Sequence, residues 1–409
     1  MSPVTVIVGS SVGGVRTAQA LRSRGYAGDV VLVGEETVAP YDKPPLSKGV
    51  LAGTSTGDDI TLLTESAARD AGIRLLLGRA ATRLDVAGHR VELADGEQLR
   101  YDDVVLATGA QARPSPWGAP PGLHVLRTLA DATTLARDLR RGGPLVVIGA
   151  GFVGAEVAAT ARGLGVRDVT LVDPAPAPMS RVLDPAVAGW FARLHAEHGV
   201  TTRFGVGVDG VEQVEDGLVV RLGDGTPLPA ATVVVGIGAV PNDDWLRTSG
   251  LRLDDGVVCD RFSRAADHVH AVGDVARVPH PRRGGLGRAE HWTNAVEQAA
   301  CVAHNIVRPD APRVHEPVEY VWSDQYDRTL QLTGHTGGAL GHVLVPGPDP
   351  ERSFAALYAE PDGTFAGAVT VSWPRALVVC RKAAGTMSLE EVRQLVSARR
   401  PSARTGAVT

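Results

Sequence analysis

Residues 146–154 read Val146-Val-Ile-Gly149-Ala-Gly151-Phe-Val-Gly154, a β-branched run that leads into a Gly-x-Gly-x-x-Gly turn. Glycines at this spacing allow a tight turn, a close approach of the backbone to a pyrophosphate, and close packing of the following helix on the strand. The N-terminus of that helix then faces the phosphates. The next strand, Val169-Thr-Leu-Val-Asp173, ends in an acid that can accept a hydrogen bond from a ribose 2′-hydroxyl. The stretch therefore predicts a βαβ unit that binds a dinucleotide.

The same pattern occurs at the N-terminus, in Val6-Ile-Val-Gly9-Ser-Ser11-Val-Gly13-Gly14, and its second strand ends in Glu35. Ser11 replaces the second glycine, and its Cβ stands where a pyrophosphate should approach. The nucleotide must therefore sit slightly off that position or accept a hydrogen bond from the Ser11 hydroxyl. Strand, glycines, helix, strand and acid occur in the same order twice, which predicts two bound nucleotides.

The composition limits the class of protein. A chain of 409 residues with 44% hydrophobic residues is expected to form two or three domains with buried cores. A net charge of -5 argues against nucleic-acid binding driven by global charge. The apolar start, Val4 to Val8, is too short for a signal-peptide core and lacks a basic flank, so we expect a cytoplasmic protein without a membrane segment.

The cysteines and lysines are few. Cys259, Cys301 and Cys380 lie far apart without a C-x-x-C pair, so we expect neither a disulfide framework nor a local redox disulfide. The 12 histidines are scattered, and no His/Cys cluster has the spacing of metal ligands, so no metal is predicted. Only three lysines stand beside 38 arginines, and two of them are Lys43 and Lys48.

The order of strands and turns predicts an insertion. The strand that begins at Asp103 ends in the Thr-Gly turn at Gly109, and the Pro-rich stretch 113–122 indicates a crossover into a second domain. The predicted fold is α/β, with a first Rossmann-like domain (residues 1–113 and 243–318), a second one inserted in it (114–242), a small C-terminal α+β domain (319–400) and a flexible tail (401–409).

Six further segments carry a resemblance to a known family. They are Tyr41-Asp-Lys43-Pro-Pro-Leu-Ser-Lys48, Ala107-Thr108-Gly109, the Gly149 fingerprint with Glu156, Gly273-Asp274, Glu290-His-Trp-Thr-Asn-Ala295 and Trp322-Ser-Asp-Gln-Tyr326. The first and last of these are far more diagnostic than the glycines. Over residues 1 to about 395 the chain resembles the FAD-containing, NADH-dependent ferredoxin reductases that serve oxygenases and cytochromes P450, the putidaredoxin-reductase-like flavoproteins.

The resemblance implies FAD at the first fingerprint and NADH at the second. It implies that Lys48 donates to the flavin N5 region with Glu156 as its partner, and that Asp274 binds the ribityl chain. Lys43 stands where the family usually has arginine, so it would contact the pyrophosphate as a point charge.

The charge at Asp173 favours NADH, because a carboxylate repels a 2′-phosphate and no arginine follows it immediately. Arg181, eight residues later, could reach a phosphate.

The predicted catalytic residues are Lys48 and Glu156. The predicted cofactor-binding residues are Gly9, Ser11, Gly13, Gly14, Glu35, Lys43, Lys48, Ala81, Ala107, Thr108, Gly109, Gly149, Gly151, Val153, Gly154, Glu156, Asp173, Arg181, Gly238, Gly273, Asp274, Glu290, His291, Trp292 and Trp322.

Several of these residues also have a purely structural interpretation. Lys48 could be a solvated loop charge, Glu156 a carboxylate favoured by the helix dipole, and Asp274 a turn former. Thr108 and Gly109 could simply end a strand, and Trp292 and Trp322 could be core residues instead of the flavin edge. The Arg-Gly loop 281–288 is either a solvated loop or a docking patch for an acidic ferredoxin.

The function predicted from these segments is electron transfer from NADH through FAD to a small ferredoxin, which feeds a P450 or Rieske-type oxygenase, by a monomer or homodimer. An NADH oxidase is the rival enzyme, and its thiol-dependent form needs a cysteine that loop 41–48 lacks. The other rival is a flavin- and NAD-responsive binding or signalling protein, which no targeting or basic DNA-binding segment supports.

Overall fold

The computed structural model describes residues 2–280, 284–317, 319–336 and 341–398. Its contacts divide the chain into two compact units. The first unit comprises residues 1–180 and 188–317, and the second comprises 181–187 and 318–409. The segment 181–187, although it falls within the predicted inserted domain, therefore makes its contacts with the C-terminal residues.

The first Rossmann sheet is assembled from two separate parts of the chain. Its strands, from one edge to the other, are Arg264–Ala266, Val269–Ala271, Asp103–Leu106, Val4–Val8, Asp29–Val33 and Ile73–Leu76. All pairs are parallel except the one made by Arg264–Ala266. Helices Val12–Ser23 and Trp292–Val307 bury their apolar sides with this sheet, which explains its nearly continuous apolar strands.

The second Rossmann sheet lies entirely within the interruption of the first. Its parallel strands, in order, are Val200–Phe204, Val169–Asp173, Leu145–Ile148, Thr232–Val235 and Leu123–His124. Helices Leu129–Arg141 and Phe152–Gly163 pack against it, and a capping box of Thr128 and Asp131 begins the first of them. The predicted insertion of one dinucleotide-binding domain in another is confirmed.

The C-terminal part forms an antiparallel sheet with helices. The strand order is Tyr320–Gln325, Arg328–Gly334, Phe365–Val371, Phe354–Ala359 and Gly341–Pro346. Helices Pro374–Ala383 and Leu389–Ser397 pack on this sheet, so the predicted small α+β domain is also confirmed. The predicted tail 401–409 and part of the Arg-Gly loop, residues 281–283, lie outside the described residues.

Smaller elements complete the fold. Three-stranded sheets are formed by Ala81–Asp85, Arg90–Leu93 and Gln98–Arg100; by Val208–Val214, Gly217–Leu222 and Pro227–Ala230; and by Val257–Val258, Ala276–Pro279 and Leu286–Gly287. Ala110–Ala112 pairs with Ala239–Pro241. The remaining helices are Gly49–Ala52, Glu65–Asp70 and Pro185–Glu197, with 3₁₀ turns at Pro44–Ser47, Asp58–Ile60, Asp244–Leu246 and Gly273–Val275. Within the described ranges, every helix is too short or too polar to span a membrane.

Candidate functional site

The outer glycines of both fingerprints are required by the fold itself. Gly9 and Gly149 have φ of +111° and +100°, and a Cβ on them would lie 2.2 Å from the Ala107 oxygen and 2.3 Å from the Gly236 oxygen. A Cβ on Gly14 or Gly154 would come within 1.8 or 1.9 Å of the carbonyl oxygen of the preceding turn. A larger residue at any of these positions would separate strand, turn and helix.

The middle position of the second fingerprint leaves room for a ligand. A Cβ on Gly151 would meet no described atom within 4 Å, so the backbone here is open to a pyrophosphate. Gly151 and Ser11 are the N-caps of helices Phe152–Gly163 and Val12–Ser23, and neither makes a side-chain capping hydrogen bond. The N-terminal amides of both helices are therefore suited to bind the phosphates of a dinucleotide.

The two predicted ribose-binding acids differ in their surroundings. Asp173 accepts hydrogen bonds from the Ala150 amide (2.7 Å) and the Ala175 amide (2.8 Å), which hold its carboxylate beside the Gly149 turn. Glu35 is exposed just beyond strand Asp29–Val33. Arg181 is exposed and belongs to the second compact unit.

Lys48 and Glu156 form an ion pair between the two nucleotide-binding units. The Lys48 ammonium lies 2.8 Å from Glu156 Oε2, with side chains 21% and 5% exposed. Lys48 follows the 3₁₀ turn Pro44–Ser47, whose prolines fix the backbone, and Glu156 is on the helix that follows the Gly149 turn. The structure thus brings together the two residues predicted to be catalytic, and their roles stay predictions.

Ser47 shares this contact although the sequence analysis did not select it. Its hydroxyl donates to the same Glu156 oxygen at 2.5 Å, and its carbonyl accepts a hydrogen bond from the Thr160 hydroxyl at 2.7 Å. Glu156 and Thr160 are four residues apart and so lie on one face of their helix.

Lys43 is bound within the protein. Its ammonium donates to Glu36 Oε1 (3.2 Å) and to the Arg127 carbonyl (3.3 Å), and the Tyr41 hydroxyl donates to the other Glu36 oxygen (2.7 Å). Burial lowers the pKa of Lys43, while the Glu36 charge opposes that effect. The predicted pyrophosphate contact of Lys43 stays a prediction.

Asp274 is paired with an arginine that the sequence analysis missed. Arg127 donates from Nη2 to Asp274 Oδ2 at 3.1 Å. Gly273 has φ of +76°, a conformation that places Asp274 at the end of strand Val269–Ala271. Arg288 holds the other side of this turn, donating to the Asp274 carbonyl (3.0 Å) and to Glu290 Oε1 (2.5 Å).

The two crossovers between the Rossmann units are bound to each other. The Thr108 hydroxyl donates to the Asn242 carbonyl (2.8 Å), and the Asn242 amide donates to the Thr108 carbonyl (2.9 Å). Gly109 and Gly238, with φ of +66° and +112°, allow the turns on either side.

Trp292 begins helix Trp292–Val307, with His291 as the N-cap, and donates its indole N–H to Asp42 Oδ1 at 2.6 Å. Burial raises the pKa of Asp42, and the hydrogen bond from Trp292 opposes that effect.

Trp322 belongs to the second unit, where its ring stacks on Tyr320 at 6.0 Å between centroids. The flavin-edge positions of both tryptophans stay predictions.

The remaining predicted residues are described by their burial and by the element that contains them. Gly13 and Ala107 are buried, Ala81 begins strand Ala81–Asp85, and Val153 is 42% exposed on the helix after the Gly149 turn. The residues that sequence reasoning missed are Glu36, Asp42, Ser47, Arg127, Asn242 and Arg288. Asp42 and Ser47 lie inside the diagnostic loop and Glu36 adjoins Glu35, so their positions were a usable signal, whereas Arg127 has no motif around it.

Comparison with known proteins agrees with this geometry. Residues 4–299 match the model of the pyridine nucleotide-disulphide oxidoreductases, and residues 320–399 match the reductase C-terminal domain. Rhodocoxin reductase of Rhodococcus erythropolis is 38% identical over 385 residues, which are 93% of this chain and 89% of the relative.

Two solved structures are similar over nearly their whole lengths. The ferredoxin reductase for the CYP199A2 system of Rhodopseudomonas palustris has a TM-score of 0.90 and 32% identity, covering 95% of this chain and 97% of that one. The reductase of the covalent putidaredoxin reductase-putidaredoxin complex has a TM-score of 0.88 and 34% identity, covering 97% and 99%. The predicted resemblance is confirmed, and the chain belongs to the pyridine nucleotide-disulphide oxidoreductase family, with a reductase C-terminal domain.

Proposed function

We propose that this chain is an NADH-dependent ferredoxin reductase, with FAD at the Gly9 fingerprint, NADH at the Gly149 fingerprint, and a small iron-sulfur protein of a P450 or Rieske-type oxygenase system as acceptor. One observation carries the proposal: the Lys48–Glu156 ion pair joins the diagnostic loop 41–48 of the first Rossmann domain to the fingerprint helix Phe152–Gly163 of the inserted one. FAD, when bound, accepts two electrons from NADH and releases them singly.

The residues of the chain bind and orient the two nucleotides. The uncapped helix N-termini at Ser11 and Gly151 supply amide donors for phosphate oxygens, and Asp173 presents an oriented carboxylate next to the second of them. Lys48 supplies a positive charge that Glu156 holds in place where the two Rossmann domains meet. We place the reaction in the cytoplasm, with a monomer or homodimer as the working form, as predicted from the sequence.

The thiol chemistry of the rival NADH oxidase has little support. Burial raises the pKa of Cys259 and of Cys380 to about 12, so both thiols stay protonated near neutral pH and are poor nucleophiles. Burial also raises the pKa of the Cys301 thiol.

Anaerobic stopped-flow mixing with NADH tests the proposal. We expect rapid bleaching of the flavin, slow reoxidation by oxygen, and rapid reoxidation by an added [2Fe–2S] ferredoxin, with putidaredoxin as the first probe because it is partnered with a structurally similar reductase. Cytochrome c reduction provides the contrary outcome. If added ferredoxins give no higher rate of cytochrome c reduction than oxygen does, the proposed function is refuted. Slow flavin reduction that leaves a long-lived charge-transfer complex would instead favour a signalling protein.

A further inference from the structure

We propose that Ser47 is a positioning residue that fixes the Glu156 carboxylate against Lys48, an inference that rests on the proposed function. Both Ser47 and Glu156 are buried, with 5% and 4% of their surfaces exposed. Buried polar groups need hydrogen-bond partners within the protein, and the Ser47 hydroxyl supplies one to the Glu156 carboxylate.

Ser47 sets the orientation of the Glu156 carboxylate, which Lys48 alone cannot do. Glu156 Oε2 receives the Ser47 hydroxyl at 2.5 Å and the Lys48 ammonium at 2.8 Å. Two donors of different origin define the direction of the carboxylate, whereas a single flexible ammonium defines only its distance. Lys48 also donates to the Pro44 carbonyl at 3.3 Å, so its own position is divided between two acceptors.

Ser47 is itself held from the other side. The Thr160 hydroxyl donates to the Ser47 carbonyl at 2.7 Å, one helical turn beyond Glu156. One residue of the first nucleotide-binding unit is thus attached at two points to one helix of the second unit. The attachment fixes the ion pair at the contact between loop 41–48 and helix Phe152–Gly163, so Ser47 acts through Glu156.

Removing the Ser47 hydroxyl tests this positioning role directly. In FAD-loaded Ser47→Ala, we expect the limiting rate of flavin reduction by NADH to fall about tenfold, since a hydrogen bond to a charged group is lost. The apparent Kd for NADH should stay within about threefold of wild type, because the Asp173 and Gly151 contacts are unchanged. Anaerobic stopped-flow over a range of NADH concentrations separates the two constants.

A double-mutant cycle distinguishes positioning from general structural support. If Ser47 acts through Glu156, Ser47→Ala should change the rate less than about twofold in a Glu156→Ala background. Glu156→Asp, which keeps Ser47 but shortens the carboxylate, should be slowed by about as much as Ser47→Ala. Ser388→Ala is the matched control, because its hydroxyl also donates to a glutamate, Glu391 at 2.7 Å, in the C-terminal unit. The control should reduce its flavin at the wild-type rate.

A crystal structure of Ser47→Ala gives a readout that does not depend on turnover. We expect the Glu156 carboxylate to rotate and its separation from the Lys48 ammonium to change. An unmoved carboxylate, an unchanged reduction rate, or a tenfold loss that persists without Glu156 would each overturn the proposal. None of these assays contains ferredoxin, so their outcomes bear on the role of Ser47 and not on the electron acceptor. If the wild-type protein reduces its flavin with NADH but fails to reduce an added ferredoxin in a separate assay, the proposed function is refuted and the role of Ser47 is not.

Discussion

Arg127 and Asp274 lie 147 positions apart in the chain, and their side chains meet at 3.1 Å. The arginine comes from the inserted domain and the aspartate from the returning part of the first domain. The pair therefore ties the insertion to the sheet that contains it, beside Gly109, whose missing Cβ would lie 3.7 Å from Arg127 Nη2.

Replacing Arg127 should weaken FAD retention. In Arg127→Leu the half-buried Asp274 carboxylate loses its charged donor, a loss of about 2 kcal/mol for such a hydrogen bond. We expect purified protein with clearly less flavin per polypeptide, measured by absorbance before and after dialysis. Arg137→Leu, an exposed arginine of the nearby helix Leu129–Arg141, is the control. Equal flavin content in the two variants would contradict the prediction.

Glu35→Ala should lower FAD occupancy without lowering the stability of the fold. Glu35 is exposed after its strand, so its removal leaves no buried partner unsatisfied. Glu36→Ala should behave differently, because Glu36 accepts hydrogen bonds from both Tyr41 and Lys43. We expect thermal unfolding of the flavin-free protein to be unchanged in the first variant and shifted downward in the second. Full flavin occupancy of Glu35→Ala would refute the assignment of FAD to the first site.

The preference for NADH should depend on Asp173. The combined variant carries Asp173→Asn and Pro174→Arg. The first substitution removes the charge that repels a 2′-phosphate, and its side-chain oxygen can still accept the hydrogen bond of one backbone amide. The second adds an arginine at the exposed neighbouring position. We expect the ratio of kcat/KM for NADPH to that for NADH to rise by about tenfold or more. Pro174→Arg alone serves as the control. A ratio unchanged in the combined variant would count against NADH binding at this turn.

Lys48→Met should slow flavin reduction and destabilise the protein. The substitution removes the Lys48–Glu156 ion pair, which costs about 2 kcal/mol for a pair that is partly exposed. Stopped-flow reduction by NADH and thermal unfolding measure the two effects. Lys382→Met, at an exposed helical position, controls for the loss of a lysine. Unaltered reduction kinetics in Lys48→Met would mean that Lys48 is only a loop charge.

A pH effect is expected from His315. Burial lowers its pKa to about 4 from an ordinary value of 6.5, and the ring is hydrogen-bonded to Asn294 Oδ1 at 2.9 Å. The unfolded chain therefore binds a proton below pH 6.5 that the folded protein accepts only near pH 4. The stability of the fold falls as the pH drops through this window, by about 3 kcal/mol in total.

His315→Gln removes this linkage and keeps a donor for Asn294. We expect the decrease in Tm between pH 7.5 and pH 5 to be smaller in the variant than in wild type. Calorimetry at the two pH values measures it, and the carboxylates, which are common to both proteins, cancel in the comparison. An equal decrease in both proteins would show that His315 does not titrate as described.

The elements of the fold could be predicted because each depends on neighbours in sequence. The Gly9 and Gly149 turns are local, and their order relative to strands and acids determines the Rossmann units. The contact between Lys48 and Glu156 came from the resemblance and not from spacing, since 108 residues separate them. Arg127 could not be predicted, because its partner Asp274 becomes its neighbour only when the insertion folds.

Lys43 shows a different limit. Its motif position predicts that it faces a pyrophosphate, whereas in the fold its ammonium donates to Glu36 and Tyr41. A residue type and a motif position indicate which ligands are chemically suitable. They do not indicate which protein groups compete for the same side chain.

The interruption of the first Rossmann sheet has a consequence for biosynthesis. The inserted sheet is complete once residue 235 has left the ribosome, whereas the outer one must await Val269–Ala271. Its strand Asp103–Leu106, which pairs with Val4–Val8 on one side, keeps its other edge uncovered throughout that interval. The nascent chain should therefore complete its inserted Rossmann sheet before its outer one, and chaperone dependence should be concentrated in the period between them.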